Sequence, residues 1–192
     1  LKTDRFAKTI GWQLGIHPDS LQEIDFRVKL PNKPAGYYGA KVSGEVSNTV
    51  ISHTSPMRET IVSNWGHGLF RYNACDYCDD VLAECADITI GDAWLPEYVS
   101  DEGGTNVIIV RNPRLARLLT DFKEELTIEE ISAEKIYQSQ AGGFRHRREG
   151  LAYRLFLKDQ KHEWHPKKRV APSDSVTNKR KKIYHDRILL LD

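Results

Sequence analysis

The spacing of apolar and polar positions changes period along the chain and predicts both strands and helices. Residues 24–30 alternate like a half-buried strand, and 37–46 with 49–52 form a predicted hairpin whose turn lies at Ser47 and Asn48. Residues 106–111 carry consecutive apolar positions, which is typical of a strand covered on both faces. Further short strands are predicted at 69–72, 87–92 and 126–128. Helices are predicted at 6–14, 56–65, 113–119, 133–138, 145–160 and 179–190.

This order of elements predicts the fold class. Because strands alternate with helices, we expect an α/β or α+β fold with a mixed β-sheet flanked by helices. A single domain is expected over residues 1–166, followed by a polar linker and a basic C-terminal helix over 167–192.

Composition excludes several classes of protein. The chain has 192 residues, of which 40% are hydrophobic and 29% charged, which excludes a disordered chain, a collagen and a coiled coil. No apolar run approaches the roughly 20 residues that a membrane helix needs. The sequence begins with Leu and shows no signal-peptide pattern, so we expect it to be a piece of a longer chain.

Charge is distributed unevenly. Residues 1–96 contain 9 basic and 12 acidic side chains, whereas residues 140–192 contain 14 basic and 6 acidic ones. A basic C-terminal quarter is typical of a protein with an anionic partner. For the basic run at 179–182 taken alone, a solvated helix face is the favoured interpretation.

The three cysteines lie within eleven residues, at Cys75, Cys78 and Cys85. An odd, clustered set does not fit a secreted disulfide framework, so we expect a reducing, cytoplasmic setting. The C-x-x-C spacing of Cys75 and Cys78 lets both sulfur atoms point at one metal, as in zinc ribbons and iron–sulfur sites. A redox dithiol and inert structural cysteines are the alternatives.

Acidic neighbours favour a metal over a bare thiolate at this motif. Asp76, Asp79 and Asp80 flank the two cysteines, and their negative charge disfavours an uncompensated thiolate. This chain alone cannot complete a four-cysteine cluster, so any missing ligands would come from upstream sequence or from a partner.

Two segments are candidates for binding an anion. In residues 103–114, glycines permit close approach to a ligand, and Arg111 and Arg114 flank a helix start. In residues 140–150, two glycines precede three arginines, at positions 145, 147 and 148. The alternatives are a plain turn and a helix start with solvated arginines. No familiar nucleic-acid module accompanies either segment, so nucleic acid is not the expected partner.

Four motifs follow one another along the chain: CDYCDD, ADITIGDAW, GGTNVIIVR and QAGGFRHRREGLAYR. In this order they resemble the C-terminal region of the coenzyme F420 hydrogenase/dehydrogenase beta-subunit family. The opening segment through residues 25–29 also matches, so the resemblance runs from about residue 3 to residue 170. The C-x-x-C followed by Ala-Asp-x-x-x-Gly-Asp is its most specific part, and the last twenty residues match nothing recognisable.

The resemblance implies an iron–sulfur flavoprotein oxidoreductase. Such a protein binds FAD and passes electrons between a [4Fe–4S] cluster and a second substrate such as coenzyme F420. Carried over by position, it implies that Cys75 and Cys78 are cluster ligands, with the remaining ligands upstream of this chain. It implies a flavin site formed by Gly91, Asp92, Gly104, Thr105, Asn106, Arg111 and Arg145. The expected partner is an electron-donor or electron-acceptor subunit or a small redox coenzyme.

A second hypothesis belongs to another class of protein. In it the chain is a non-catalytic assembly module whose cysteines bind zinc or no metal. Its basic C-terminal region would then dock a partner subunit or nucleic acid.

Overall fold

Three of the predicted strands form an antiparallel sheet in the order β1-β2-β3. In this computed structural model, which describes residues 2–61 and 68–189, the strands are β1 (Leu21–Val28), β2 (Gly39–Val46) and β3 (Thr49–Pro56). Ser47 and Asn48 connect β2 to β3 with φ angles of 52° and 61°. Two such residues in succession suit the tight turns that match strand twist, and the predicted hairpin is confirmed.

Helix α1 (Asp4–Gln13) covers one face of this sheet. The helix contributes Phe6 and Ile10, and the sheet contributes Ala40 and Val42, to one buried apolar cluster. Ile16 and Met57 complete that cluster. Burial of these side chains is the main source of stability for this part of the chain.

A second, smaller sheet lies further along the chain. It pairs β4 (Ile88–Asp92) antiparallel with β5 (Asn106–Val110). Helices follow at α2 (Pro113–Asp121), α3 (Ala133–Ser139), α4 (Ala141–Phe144) and α5 (Gly150–Gln160). A π-helical turn over Arg145–Glu149 joins α4 to α5, so the helix predicted at 145–160 begins four residues earlier.

The chain divides into two compact units. Leu1–Asp76 and Thr177–Asp192 form the first unit, which includes the last helix, α6 (Asn178–Leu189). Tyr77–Val176 forms the second unit. The division falls inside the C-x-x-C segment, between Asp76 and Tyr77. The domain limits expected from the sequence, 1–166 and 167–192, stay a prediction.

The predicted class of mixed α and β structure is confirmed, and four details differ. The strands form two separate antiparallel sheets instead of one mixed sheet. Residues 126–128 are irregular, and 69–72 contribute only a bridge between Lys2 and Arg71. Strand β5 has a single partner, so Val107 is its only buried residue and it is not covered on both faces. The last residues of the helix predicted at 56–65 fall in the segment 62–67, which lies outside the described residues. The described residues before that segment form a 3-10 turn at Met57–Glu59.

Within residues 2–61 and 68–189, no helix combines the length and the apolar character that crossing a membrane requires.

Candidate functional site

The β4–β5 hairpin brings five of the predicted flavin-site residues together at one end. Asp92, the last residue of β4, pairs in register with Asn106, the first residue of β5, and Gly91 pairs with Val107. Gly104 and Thr105 directly precede β5, and the Thr105 carbonyl accepts a hydrogen bond from Ala93 N at 2.9 Å. We call this end of the sheet, residues 91–94 with 104–106, the hairpin mouth.

Two side chains from the end of α3 hold the backbone of the hairpin mouth. Ser139 Oγ donates to the Asp92 carbonyl at 3.2 Å and accepts from Trp94 N at 3.0 Å. Gln140 Nε2 donates to the same carbonyl at 2.9 Å. Ser139 is buried, so these contacts are shielded from water. Sequence reasoning missed Ser139, because a serine 47 residues from its partner gives no local signal.

The hairpin mouth leaves room for a ligand. A Cβ added at Gly91 would meet no atom within 4 Å, whereas Gly104 has a φ of +79° that side chains rarely adopt. The Trp94 ring is 44% exposed although its backbone N–H is bonded. An accessible backbone, the hydroxyl of Thr105, the amide of Asn106 and an aromatic ring suit a planar, polar cofactor such as a flavin.

Arg111 lies at the opposite end of β5 from the hairpin mouth. Its Nη1 donates to the Ala86 carbonyl at 2.9 Å and to Thr89 Oγ1 at 3.0 Å, and its Nη2 donates to the Leu82 carbonyl at 3.2 Å. The guanidinium therefore ties residues 82–86 to the small sheet. These contacts assign Arg111 a structural part, while its predicted contact with flavin stays a prediction.

Arg145 begins the π-helical turn that joins α4 to α5. Arg145 is half-buried. The two glycines just before it, Gly142 and Gly143, have different neighbours. A Cβ added at Gly143 would lie 3.0 Å from Val81 Cγ1, so Gly143 allows α4 to approach residue 81 closely. This glycine is explained by packing, and Arg145 keeps its predicted role as an anion-binding residue.

Cys75 belongs to the first unit and is half-buried. Its N–H donates to the Tyr72 carbonyl at 2.9 Å, at the start of a 3-10 segment over Asn73–Tyr77. The neighbouring Asp76 carboxylate accepts from Arg71 Nη2 at 2.6 Å. Burial, and then the positive charge of Arg71, lower the pKa of Lys2 below its ordinary value, although Cys75 acts in the opposite direction. Cys75 thus lies near two cations, Lys2 and Arg71.

Cys78 belongs to the second unit and is also half-buried. Its thiol donates to the Asp80 carbonyl over 3.6 Å. Arg147 Nη1 lies 3.9 Å from Cys78 Sγ and also donates to the Asp80 carbonyl. Arg147 thus places a positive charge close to the Cys78 sulfur.

The acidic side chains next to Cys78 are paired with cations. Asp79 lies 3.3 Å from Lys168 Nζ and 3.0 Å from Arg169 Nε. Glu84 accepts from Arg148 Nη2 at 2.7 Å and also pairs with Arg169. Residues 148–169 therefore supply positive charge that compensates Asp79 and Glu84, while the predicted metal ligation by the cysteines stays a prediction.

These pairs shift the pKa values of both carboxyl groups. Burial alone would raise the pKa of Asp79, but hydrogen bonds from Lys168 and Arg169 bring it below its ordinary value. For Glu84 the hydrogen bond from Arg169 is the largest effect and lowers the pKa, and Arg148 acts in the same direction. Both groups are consequently ionised at neutral pH, and four cations of the basic C-terminal quarter have partners within the second unit. These cations are Arg147, Arg148, Lys168 and Arg169.

The fit of a metal centre depends on its ligands. Over the described ranges, no group of three or more His, Cys, Asp or Glu side chains is arranged to hold a metal ion. A [4Fe–4S] cluster takes four thiolates, and the chain has three cysteines, of which Cys85 is exposed. The described residues therefore do not fit a complete [4Fe–4S] cluster.

Comparison with known proteins identifies one protein family that matches this chain. No curated protein and no solved structure matches this chain. The family that describes the C terminus of the beta subunit in coenzyme F420 hydrogenase/dehydrogenase matches residues 1–135, which include Cys75, Cys78 and the hairpin mouth. The similarity expected for residues 136–170, including Arg145, stays a prediction. Because the match covers more than half of the chain, this protein belongs to the coenzyme F420 hydrogenase/dehydrogenase beta-subunit family through its C-terminal region.

Proposed function

We propose that this chain is the FAD-binding part of an oxidoreductase, in which a flavin at the hairpin mouth exchanges electrons with a second redox partner. Family membership carries an oxidoreductase role in general terms, and a beta-subunit family implies a complex of several subunits. The observation that supports the finer proposal is the convergence of five predicted residues around the open backbone of Gly91. The partner would be coenzyme F420, a similar small coenzyme or another subunit.

Each residue of the hairpin mouth has a proposed task. Gly91 lets the flavin approach the strand closely, because no side chain occupies that space. Thr105 and Asn106 supply hydrogen bonds to polar atoms of the cofactor. The Trp94 ring offers an aromatic face for the flavin ring system. Outside the hairpin mouth, Arg145 is the proposed partner of the pyrophosphate, because a guanidinium can donate two hydrogen bonds to a phosphate group.

Bound FAD would supply the redox chemistry, and the protein would supply binding and orientation. The bonds from Ser139 and Gln140 fix the carbonyl of Asp92 and so restrain the backbone of the hairpin mouth. A site restrained in this way would lose less conformational entropy when the cofactor binds.

The proposal for the cysteines is separate from the flavin site. We propose that Cys75 and Cys78 are two ligands of an iron–sulfur cluster whose other ligands come from outside the described residues. Iron and acid-labile sulfide should then be present only in a form of the protein that contains those ligands. Replacing both cysteines by Ser should remove the iron and leave the flavin content unchanged.

Titration of the chain with FAD tests the flavin proposal. Quenching of flavin fluorescence should saturate with one flavin per chain. Trp94→Ala should weaken the affinity by roughly 3- to 10-fold, since an aromatic contact contributes about 0.5–1.5 kcal/mol beyond its buried area. Trp164→Ala is the matched control, because Trp164 is 81% exposed and lies outside the hairpin mouth. Absence of saturable quenching by the unmodified chain would contradict the proposal.

The assembly-module hypothesis receives less support. It relied on a basic C-terminal region that docks an acidic partner. Four cations of that region are engaged with Asp79, Asp80 and Glu84 within the same unit. A reducing, cytoplasmic location remains part of our proposal, because an odd, clustered set of three cysteines does not fit a secreted disulfide framework.

A further inference from the structure

An exposed apolar stripe follows β5 in the second unit. Helix α2 has no buried residue, and Leu118 and Phe122 are 50% and 51% exposed. Leu126 and Ile128 continue the stripe with exposures of 43% and 42%. Side chains that large are seldom left in water as a contiguous set unless they bind something. We call these four residues the 118–128 surface.

The backbone keeps these side chains close to one another. Phe122 N donates to the Leu118 carbonyl at 3.0 Å, which extends the hydrogen-bonding pattern of α2 by one residue. A 3-10 turn over Lys123–Glu125 follows at once, and Leu126 N donates to the Lys123 carbonyl at 3.2 Å. Leu118 and Phe122 are spaced by four residues at the end of α2, and on a helix this spacing places side chains next to each other. Leu126 and Ile128 follow directly after the turn, where the backbone of Leu126 is extended.

Acidic residues are interspersed along the chain with the residues of the 118–128 surface. Residues 121–130 contain five carboxylates and one cation, Lys123. Glu129 accepts a hydrogen bond from the Tyr98 hydroxyl. The other four carboxylates take part in no ion pair with any residue that the structure describes: Asp121, Glu124, Glu125 and Glu130. This contrasts with Asp79 and Glu84, which are paired with cations.

We propose that the 118–128 surface docks a partner protein that presents apolar side chains flanked by lysine or arginine. The apolar centre would supply the buried contact, and the unpaired carboxylates would supply charge complementarity around it. This surface lies within the residues that match the beta-subunit family, whose description implies other subunits. The inference does not depend on the flavin proposal, since no residue of the hairpin mouth takes part in it.

Peptides of defined chemistry provide the test. Three labelled peptides of about 18 residues share one helical pattern and combine leucine with lysine, leucine with glutamate, or serine with lysine. Fluorescence anisotropy measures their binding to the complete chain. The leucine–lysine peptide should bind at least about tenfold more tightly than the other two. Equal binding of the leucine–glutamate or the serine–lysine peptide would overturn the proposal.

A double substitution separates apolar docking from simple charge attraction. Leu118→Glu with Phe122→Glu adds negative charge, so attraction alone would strengthen binding of the leucine–lysine peptide. Apolar docking instead predicts a loss of about tenfold or more. Val50→Glu is the control, since Val50 is 65% exposed and belongs to the first unit. Leu126→Ser with Ile128→Ser repeats the test outside the helix if the first variant fails to fold.

Self-association is the competing occupant. Sedimentation of the unmodified chain should show a monomer at the concentrations used for the peptide titration. A dimer that the Leu118→Glu, Phe122→Glu variant dissociates would overturn the proposal and assign the surface to a second copy.

Discussion

Ser139 Oγ donates a hydrogen bond to the carbonyl oxygen of Asp92 at 3.2 Å and accepts one from Trp94 N at 3.0 Å. One buried hydroxyl thus satisfies both a donor and an acceptor of the hairpin mouth. Ser139→Ala removes one hydrogen bond from each of these backbone groups, while Gln140 Nε2 still donates to the Asp92 carbonyl, and we expect a loss of about 0.5–1.5 kcal/mol in the free energy of unfolding. Urea denaturation at neutral pH measures the loss.

Ser100→Ala is the control for that substitution. Ser100 is exposed and lies in the irregular segment that follows Trp94. We expect its replacement to change the unfolding free energy by less than about 0.5 kcal/mol. Equal stabilities of the two variants would mean that Ser139 does not hold the hairpin mouth.

Substitution of Gly91 distinguishes an effect on folding stability from an effect on FAD binding. An added Cβ there meets no atom within 4 Å, and replacing Gly by Ala in a compatible backbone stabilises a protein by about 0.4–1 kcal/mol. Gly91→Ala should therefore fold at least as well as the unmodified chain. If the flavin approaches this backbone, the new methyl group should weaken FAD affinity by about tenfold, as measured by flavin fluorescence.

Gly104 is the comparison for Gly91, because an added side chain at Gly104 should destabilise the fold. Its φ of +79° is unfavourable for alanine, so Gly104→Ala should cost about 1–2 kcal/mol of stability. Unchanged FAD affinity in Gly91→Ala would show that the cofactor does not contact the strand at this position.

Substitution of Arg111 tests whether this arginine, which the sequence places in the flavin site, contacts FAD. Its guanidinium donates to the carbonyls of Leu82 and Ala86 and to Thr89 Oγ1. Arg111→Ala should therefore lower the unfolding free energy by about 1–3 kcal/mol. FAD affinity should change by less than about threefold, because the side chain lies at the far end of β5 from the hairpin mouth.

Arg114→Ala is the control for that prediction. Arg114 is exposed on the first turn of α2, and the side chain of Asn112 accepts a hydrogen bond from its backbone N–H, which alanine retains. A large loss of FAD affinity in Arg111→Ala, without a loss of stability, would restore the sequence-based interpretation of Arg111 as a flavin residue.

Elements with local signals could be predicted from the sequence. The β2–β3 hairpin depends on Ser47 and Asn48, both of which adopt positive φ angles that suit a tight turn. Helix α2 begins where Pro113 follows Asn112, whose side chain accepts a hydrogen bond from Arg114 N at 2.9 Å. Each of these signals lies within a few residues of the element that it specifies.

Contacts between distant residues could not be predicted in this way. Counting charges identifies Arg169 as a cation but cannot show that it pairs with Asp79, which lies 90 residues earlier. The apolar run of β5 predicted a strand covered on both faces, yet its sheet has two strands and leaves Ile90 61% exposed. The number of strands in a sheet depends on pairing between distant segments, about which a single run carries no information.

The pairing of Arg169 with Asp79 and Glu84 makes stability depend on pH in a predictable direction. The cations lower the pKa values of both carboxyl groups below their ordinary values near 4. A carboxyl group with a lowered pKa stabilises the folded state fully above its unfolded-state pKa, and that contribution is lost as pH falls through the lowered value. The stabilising effect of Arg169 should therefore be complete above about pH 5 and decline below about pH 4.

Arg169→Gln should consequently lower the free energy of unfolding by a small amount at pH 7, since partly exposed ion pairs contribute little to stability. The difference from the unmodified chain should shrink as urea denaturation is repeated at pH 5, 4 and 3. Arg117→Gln removes an exposed arginine that forms no ion pair with any described residue, and its stability should follow that of the unmodified chain at every pH. A destabilisation by Arg169→Gln that stays constant down to pH 3 would mean that Arg169 acts through packing of its aliphatic stem, because protonation of Asp79 and Glu84 would then leave its contribution unchanged.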